Sequence, residues 1–171
     1  MVEQRLADLR TVVSTVKEFS EFFKLSEALR SRGFEFIFDE SILSLEKQGY
    51  GFEMYSANLD FISASTHFFA ITSYSLNDLY TTHWAELFSR QEFYSAMVLR
   101  AIEKVYQTQR PVYQVTPGHL VTETFSTLKR QVVVEIAAVA PFWLSKESNK
   151  IDGFIAVTKL LETDGQKPTE Q

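Results

Sequence analysis

The chain has 171 residues, 45% of them apolar and 23% charged, with 15 Phe, 7 Tyr, 2 Trp and a formal net charge of −5. That is one domain with a sizeable core; the absence of cysteine excludes disulfides, thiolate zinc sites, iron–sulfur clusters and cysteine nucleophiles. Lys129-Arg130 is the one adjacent basic pair, which disfavours nucleic acid because phosphate neutralisation drives most of that affinity. No signal peptide and no apolar run of the roughly 18–20 residues a bilayer requires is present, so a cytoplasmic protein without membrane contact is expected.

Residues 1–31 read as one long amphipathic, coiled-coil-like helix. Leu6, Leu9, Val13, Val16 and Phe23 follow heptad a/d spacing, with Ser20 in the intervening slot. Gly33 is placed to end the helix as a C-cap. At 1.5 Å per residue it would be about 46 Å long, more than a small domain needs for its own core. Those five residues are therefore a candidate homodimer seam, against the plainer reading of a helix folded back on its own domain. Residues 32–50 read as a connector: Phe34 to Phe38 is strand-like, and the stretch around Ile42, Leu43 and Leu45 suits a short helix.

From 51 to 163 the pattern is strand, strand, short helices, a longer helix, then three strands. Phe52 to Ala57 and Leu59 to Ala64 are strand candidates joined around Asn58. Thr66 to Thr72 and Leu76 to Leu87 hold short helical turns. Gln91 to Gln107 is the strongest helix of the region, with Phe93, Met97, Ala101 and Val105 in one row, flanked by Tyr94, Val98 and Ile102. Val112 to Val115, Val121 to Leu128, Gln131 to Trp143 and Ile151 to Leu161 are strand-like, with a break expected at Pro117-Gly118. Val132 to Val139 is too apolar for an exposed edge and belongs at the centre of a sheet. The tail 164–171 is polar. The expectation is an α+β fold, an antiparallel sheet with helices packed on one face, able to hold a pocket between the two layers.

The stretch from Asp60 to Leu79 resembles the PAS family. It carries an acidic turn residue, an apolar pair, a small polar residue and an aromatic, then Tyr74-Ser75 and Asp78-Leu79. Ser73 stands where the family has Gly, and Ser65 where it has Asn. Trp84 to Phe88 falls at the next family helix, and Gly153 to Val157 matches the last strand. The resemblance implies a five-stranded antiparallel sheet with helices on one face, preceded here by the N-terminal helix. It further implies a signalling sensor or interaction module, homodimeric, that relays ligand or partner binding through that helix or in trans to a signalling protein. Lys159-Leu160-Leu161 replaces the Asp-Ile-Thr motif with which family members often anchor an outgoing helix. Output through the N-terminal helix is accordingly favoured.

The cofactors of the family narrow as follows. Cysteinyl-flavin photochemistry is excluded without cysteine. Haem is disfavoured, because 91–107 lacks a histidine and His67, His83 and His119 lie elsewhere. Non-covalent flavin, or no cofactor at all, stays open. Phe61, Phe69, Tyr74, Trp84, Phe88, Met97 and Ile102 would line a ligand pocket or, equally, fill a dry core. No catalytic constellation and no metal-ligand spacing is present. The alternative from another class is a small cone-fold enzyme or carrier of the nuclear-transport-factor-like kind, with His83 or His119 paired to Asp at a pocket mouth. Its helices would precede nearly all strands, an order this sequence does not follow.

Overall fold

Residues 2–13 and 22–163 are described in the computed structural model. The apolar run around Val132 forms the middle of β6 (Gln131–Trp143), which pairs on one side with β5 (Val112–Glu123) and on the other with β7 (Gly153–Glu162). β7 pairs in turn with β2 (Gly51–Ser56), and β2 with β3 (Phe61–Ala64). Every pairing is antiparallel, and the sheet order is β3-β2-β7-β6-β5-β4. To the five strands expected, the structure adds two of two residues each. These are β1 (Ile37–Phe38), on the far end of β6, and β4 (Phe88–Ser89), at the β5 edge.

β5 is one strand where a break at Pro117-Gly118 was expected. Its register shifts on either side of Thr116, and such bulges are how a strand accommodates a proline that cannot donate to the ladder. Thr116 Oγ1 accepts the Ile136 amide at 3.2 Å within the disturbed stretch.

One face of the sheet carries α3 (Thr66–Ile71), α4 (Leu76–Thr81), α5 (Trp84–Leu87) and α6 (Glu92–Thr108). Their buried residues, among them Phe68, Leu79, Leu87, Val98, Ile102 and Val105, meet Tyr55, Val115, Val134, Ile136, Phe154 and Leu160 from the strands. α4 begins with a capping box: Ser75 Oγ accepts the Asp78 amide while the Asp78 carboxylate accepts the Ser75 amide.

The opposite face is also covered, which the expectation of helices on one face did not include. α1 (Val2–Val13), α2 (Phe22–Ser31) and a 3-10 helix (Glu40–Gln48) bring Leu9, Leu29 and Ile42 onto Phe52, Met54, Ala138, Ala140, Phe142, Ile155 and Val157. The two alanines of β6 leave room for the helices to approach. α1 and α2 pack against one another, which one straight rod over 1–31 would not allow. α2 ends at Gly33, whose φ of +81° and amide bond to the Arg30 carbonyl provide the left-handed cap expected there. The polar tail from 164 lies outside the described residues.

Candidate ligand cavity

Strand alternation sets up the site. In β2, Phe52 and Met54 point to the outer cluster, so Glu53 and Tyr55 point inward beneath α5 and α6. Gly51 of β2 pairs with Thr158 of β7, and Glu53 with Ala156, which brings the Thr158 side chain onto the same inward face. The Tyr55 hydroxyl donates to Glu53 Oε2 at 2.5 Å and the Thr158 hydroxyl to Oε1 at 3.0 Å. Each carboxyl oxygen is thereby occupied, as a buried polar group requires.

Above this group lies a cavity walled by Trp84, Phe88 and Arg90 on one side, Val98 and Ile102 of α6 on another, and Val134, Ile136, Val139 and Phe154 from the sheet. It leaves about 40 Å³ for water-sized molecules, room for about three waters. As it stands it has no space for a flavin or haem, since pockets for drug-sized ligands run from about 300 to 1,000 Å³.

Arg90 is the unusual component. Burial pulls its pKa down, while Glu53 and Tyr55 act in the other direction. Its guanidinium lies 5.6 Å from the Trp84 ring centroid. Among the described residues it makes no hydrogen bond and no ion pair; Glu53 acts on it only through its field. Burial raises the Glu53 carboxyl above the ordinary carboxylate range, outweighing the two hydroxyl donors and Arg90. Tyr55 is pushed well up by burial and then by Glu53.

His119 is buried on β5, opposite the cavity-lining Val134. Its Nδ1 donates to the Pro117 carbonyl at 3.0 Å and its ring stacks on Tyr94 at 4.2 Å. Its Nε2 has no partner, and burial lowers its pKa.

Of the expected pocket residues, Trp84, Phe88 and Ile102 line the cavity. Phe61, Phe69 and Tyr74 pack in the surrounding core, where the Tyr74 hydroxyl donates to the Leu87 carbonyl and accepts the Thr124 amide at 3.0 Å. Met97 is half-buried on α6, outside the cavity wall. His83 caps α5 by accepting the Ala85 amide at 3.2 Å, and His67 Nε2 donates to the Leu160 carbonyl at 2.8 Å. Of the expected seam, Leu9 is buried and Leu6 half-buried against the chain's own outer-face cluster. Val16 and the side chains of Val13 and Phe23 lie outside the described residues. No cluster of metal-binding side chains occurs among the described residues, and no helix there is long and apolar enough to cross a membrane.

Glu53, Tyr55, Arg90 and Thr158 are absent from the residues singled out in the sequence; His119 is named there, paired to Asp in the cone-fold alternative, and is found here on Tyr94 and the Pro117 carbonyl instead. Glu53 and Tyr55 alternate with apolar neighbours, a pattern that reads as a solvated strand face and becomes buried only because both faces of the sheet are covered. Arg90 falls between α5 and α6, where no periodicity marks it.

No family model matches the chain, and no curated protein matches it. Among solved structures, it is similar to the PAS-B domain of Cycle from Drosophila melanogaster, with a TM-score of 0.52 and 13% identity over 65% of this chain and 99% of that one. The fold is PAS-like, as the resemblance implied.

Proposed function

We propose that this chain is a PAS-type signalling module that senses a small molecule in the inner-face cavity and reports it through α1, acting as a homodimer on a partner protein in trans. The observation that carries the reading is half-buried Arg90, without a hydrogen-bond partner among the described residues, lining with the buried Glu53 carboxyl a cavity whose other walls are mostly apolar. A core serving packing alone gains nothing from such a group, because desolvating a charge costs free energy that an unmade bond does not return. The Cycle PAS-B structure was solved with ethylene glycol bound, and a molecule of that size suits the space here.

A contact route supports α1 as the outlet. Tyr55, which holds Glu53, packs edge-on against Phe61 at 5.8 Å. The Phe61 carbonyl accepts a bond from Arg10 Nε of α1 at 2.9 Å, and the Arg10 guanidinium lies 4.2 Å over the Tyr80 ring. A ligand that displaces Tyr55 would bias whether α1 is docked or free, the two-state element such a relay needs. Leu6 and Leu9 are engaged within the protomer, so pairing between copies falls in this reading to Val13, Val16 and Phe23.

Native mass spectrometry tests it. The expected result is twice the 19.7 kDa chain mass plus a small compound, and a monomer for the Val13→Glu, Val16→Glu double variant. A double variant that stays dimeric removes that seam. A bare mass, together with unchanged hydrogen exchange of α1 when Ala156→Leu fills the cavity, overturns the sensor reading.

A further inference from the structure

Resting on that reading, we propose that the ligand is a short-chain monocarboxylate of about two to four carbons, its carboxylate held by the Arg90 guanidinium and its alkyl part by the apolar cavity wall. Both oxygens of Glu53 already accept hydroxyls, from Tyr55 and Thr158. The unmet demand at the cavity is for acceptors: the planar fork of Arg90 presents about five N–H donors, and no described residue takes any of them. A carboxylate matches that fork with two parallel bonds and also neutralises its charge.

The remaining walls decide what else the ligand carries. Val98, Ile102, Val139 and Phe154 offer no hydrogen bond, so a tetrahedral phosphate would press unpaired oxygens against hydrocarbon. An alkyl tail would instead gain burial there. The free space of about 40 Å³ limits that tail to a few carbons. The Trp84 ring, its centroid 5.6 Å from the guanidinium carbon, adds a further apolar wall beside it. Burial raises the Glu53 carboxyl above the ordinary carboxylate range, a direction that lessens its repulsion of an incoming anion.

The test is methyl NMR of Ile102 and Val139 during titration with sodium propionate at constant ionic strength, with propionamide, ethylene glycol and sodium phosphate as parallel titrants. Saturable shifts with propionate are expected, with binding about tenfold or more weaker for propionamide and for phosphate. Arg90→Met should abolish the propionate response, and Arg90→Lys should weaken it, since a point charge lacks the fork. The wild-type comparison of propionate with propionamide needs no variant to fold. Equal affinity for those two, phosphate binding as tightly as propionate, or propionate binding retained in Arg90→Met overturns the assignment. Shifts with propionamide or ethylene glycol but not propionate overturn the assignment and leave the sensor reading standing. Silence from all titrants overturns the assignment and leaves the sensor reading to the mass and exchange measurements.

Discussion

Glu53 is a carboxyl taken out of water, and burial raises its pKa against the opposing pull of the Tyr55 and Thr158 hydroxyls and of Arg90. A group whose pKa is higher folded than unfolded supports the fold fully below its unfolded value of about 4.3 and loses that support as pH climbs through the folded value. Ionised Glu53 is therefore a cost at neutral pH that Glu53→Gln removes. We expect the two proteins to melt together near pH 4 and the variant to melt higher at pH 7. Each unit of upward shift is worth about 1.4 kcal/mol, or about 3–6 °C for a chain of this length. Thermal melts across pH decide it, and a wild type that melts higher at pH 7 would place the ionised carboxylate among the stabilising groups. At this scale the sequence was least informative. A Glu between Phe52 and Met54 has the signature of a surface strand, and its burial depends on helices far away in the chain.

Helix α6 shows how far a pattern of elements reaches. Its existence and extent followed from the apolar spacing of 91–107, and the structure places it at Glu92–Thr108. The row Phe93, Met97, Ala101, Val105 did not survive as a buried face. Residues four apart advance by about 40° per step on an α-helix, so four of them spread over about 120°. The face that meets the sheet is instead Val98, Ala101, Ile102 and Val105, at the spacing of three and four that a stripe requires. Phe93 is left 67% exposed. A pair of truncations separates the two assignments. Ile102→Ala should cost about 2–5 kcal/mol through lost burial and a residual cavity. Phe93→Ala should change stability by about 0.5 kcal/mol or less. Denaturant unfolding measures both, and equal losses would put Phe93 back in the core. The same element logic explains β5. Pro117-Gly118 reads as a break in isolation, yet pairing with β6 on either side of Thr116 carries the strand across it as a pair of bulges.

For the molecule as a whole, the consequence of covering both faces of the sheet is that its two clusters communicate at the β3 edge. The PAS-like order of strands and helices was legible because it is written in short local motifs, from Asp60 to Leu79 and from Gly153 to Val157. The placement of α1 was not, because a heptad seam serves equally for a second chain or for the back of one's own sheet. Leu6 and Leu9 took the second use. Arg10 does what no periodicity announces: from α1 it reaches the Phe61 carbonyl and the Tyr80 ring, joining the outer helices to residues that pack on the inner cluster. A charged hydrogen bond contributes about 1.5–3 kcal/mol, and a cation–π contact at a partly exposed site about 0.5–1 kcal/mol. Arg10→Ala should thus ease undocking of α1 without touching the sheet, since Leu9 remains in place. Hydrogen exchange should quicken about tenfold or more across Val2–Val13 and stay unchanged across β6. Exchange that quickened in both would make α1 part of one cooperative unit with the core, unable to act as a separate switch. Unchanged exchange in α1 would mean that Leu9 alone holds the helix and that the contact at Phe61 and Tyr80 carries no signal.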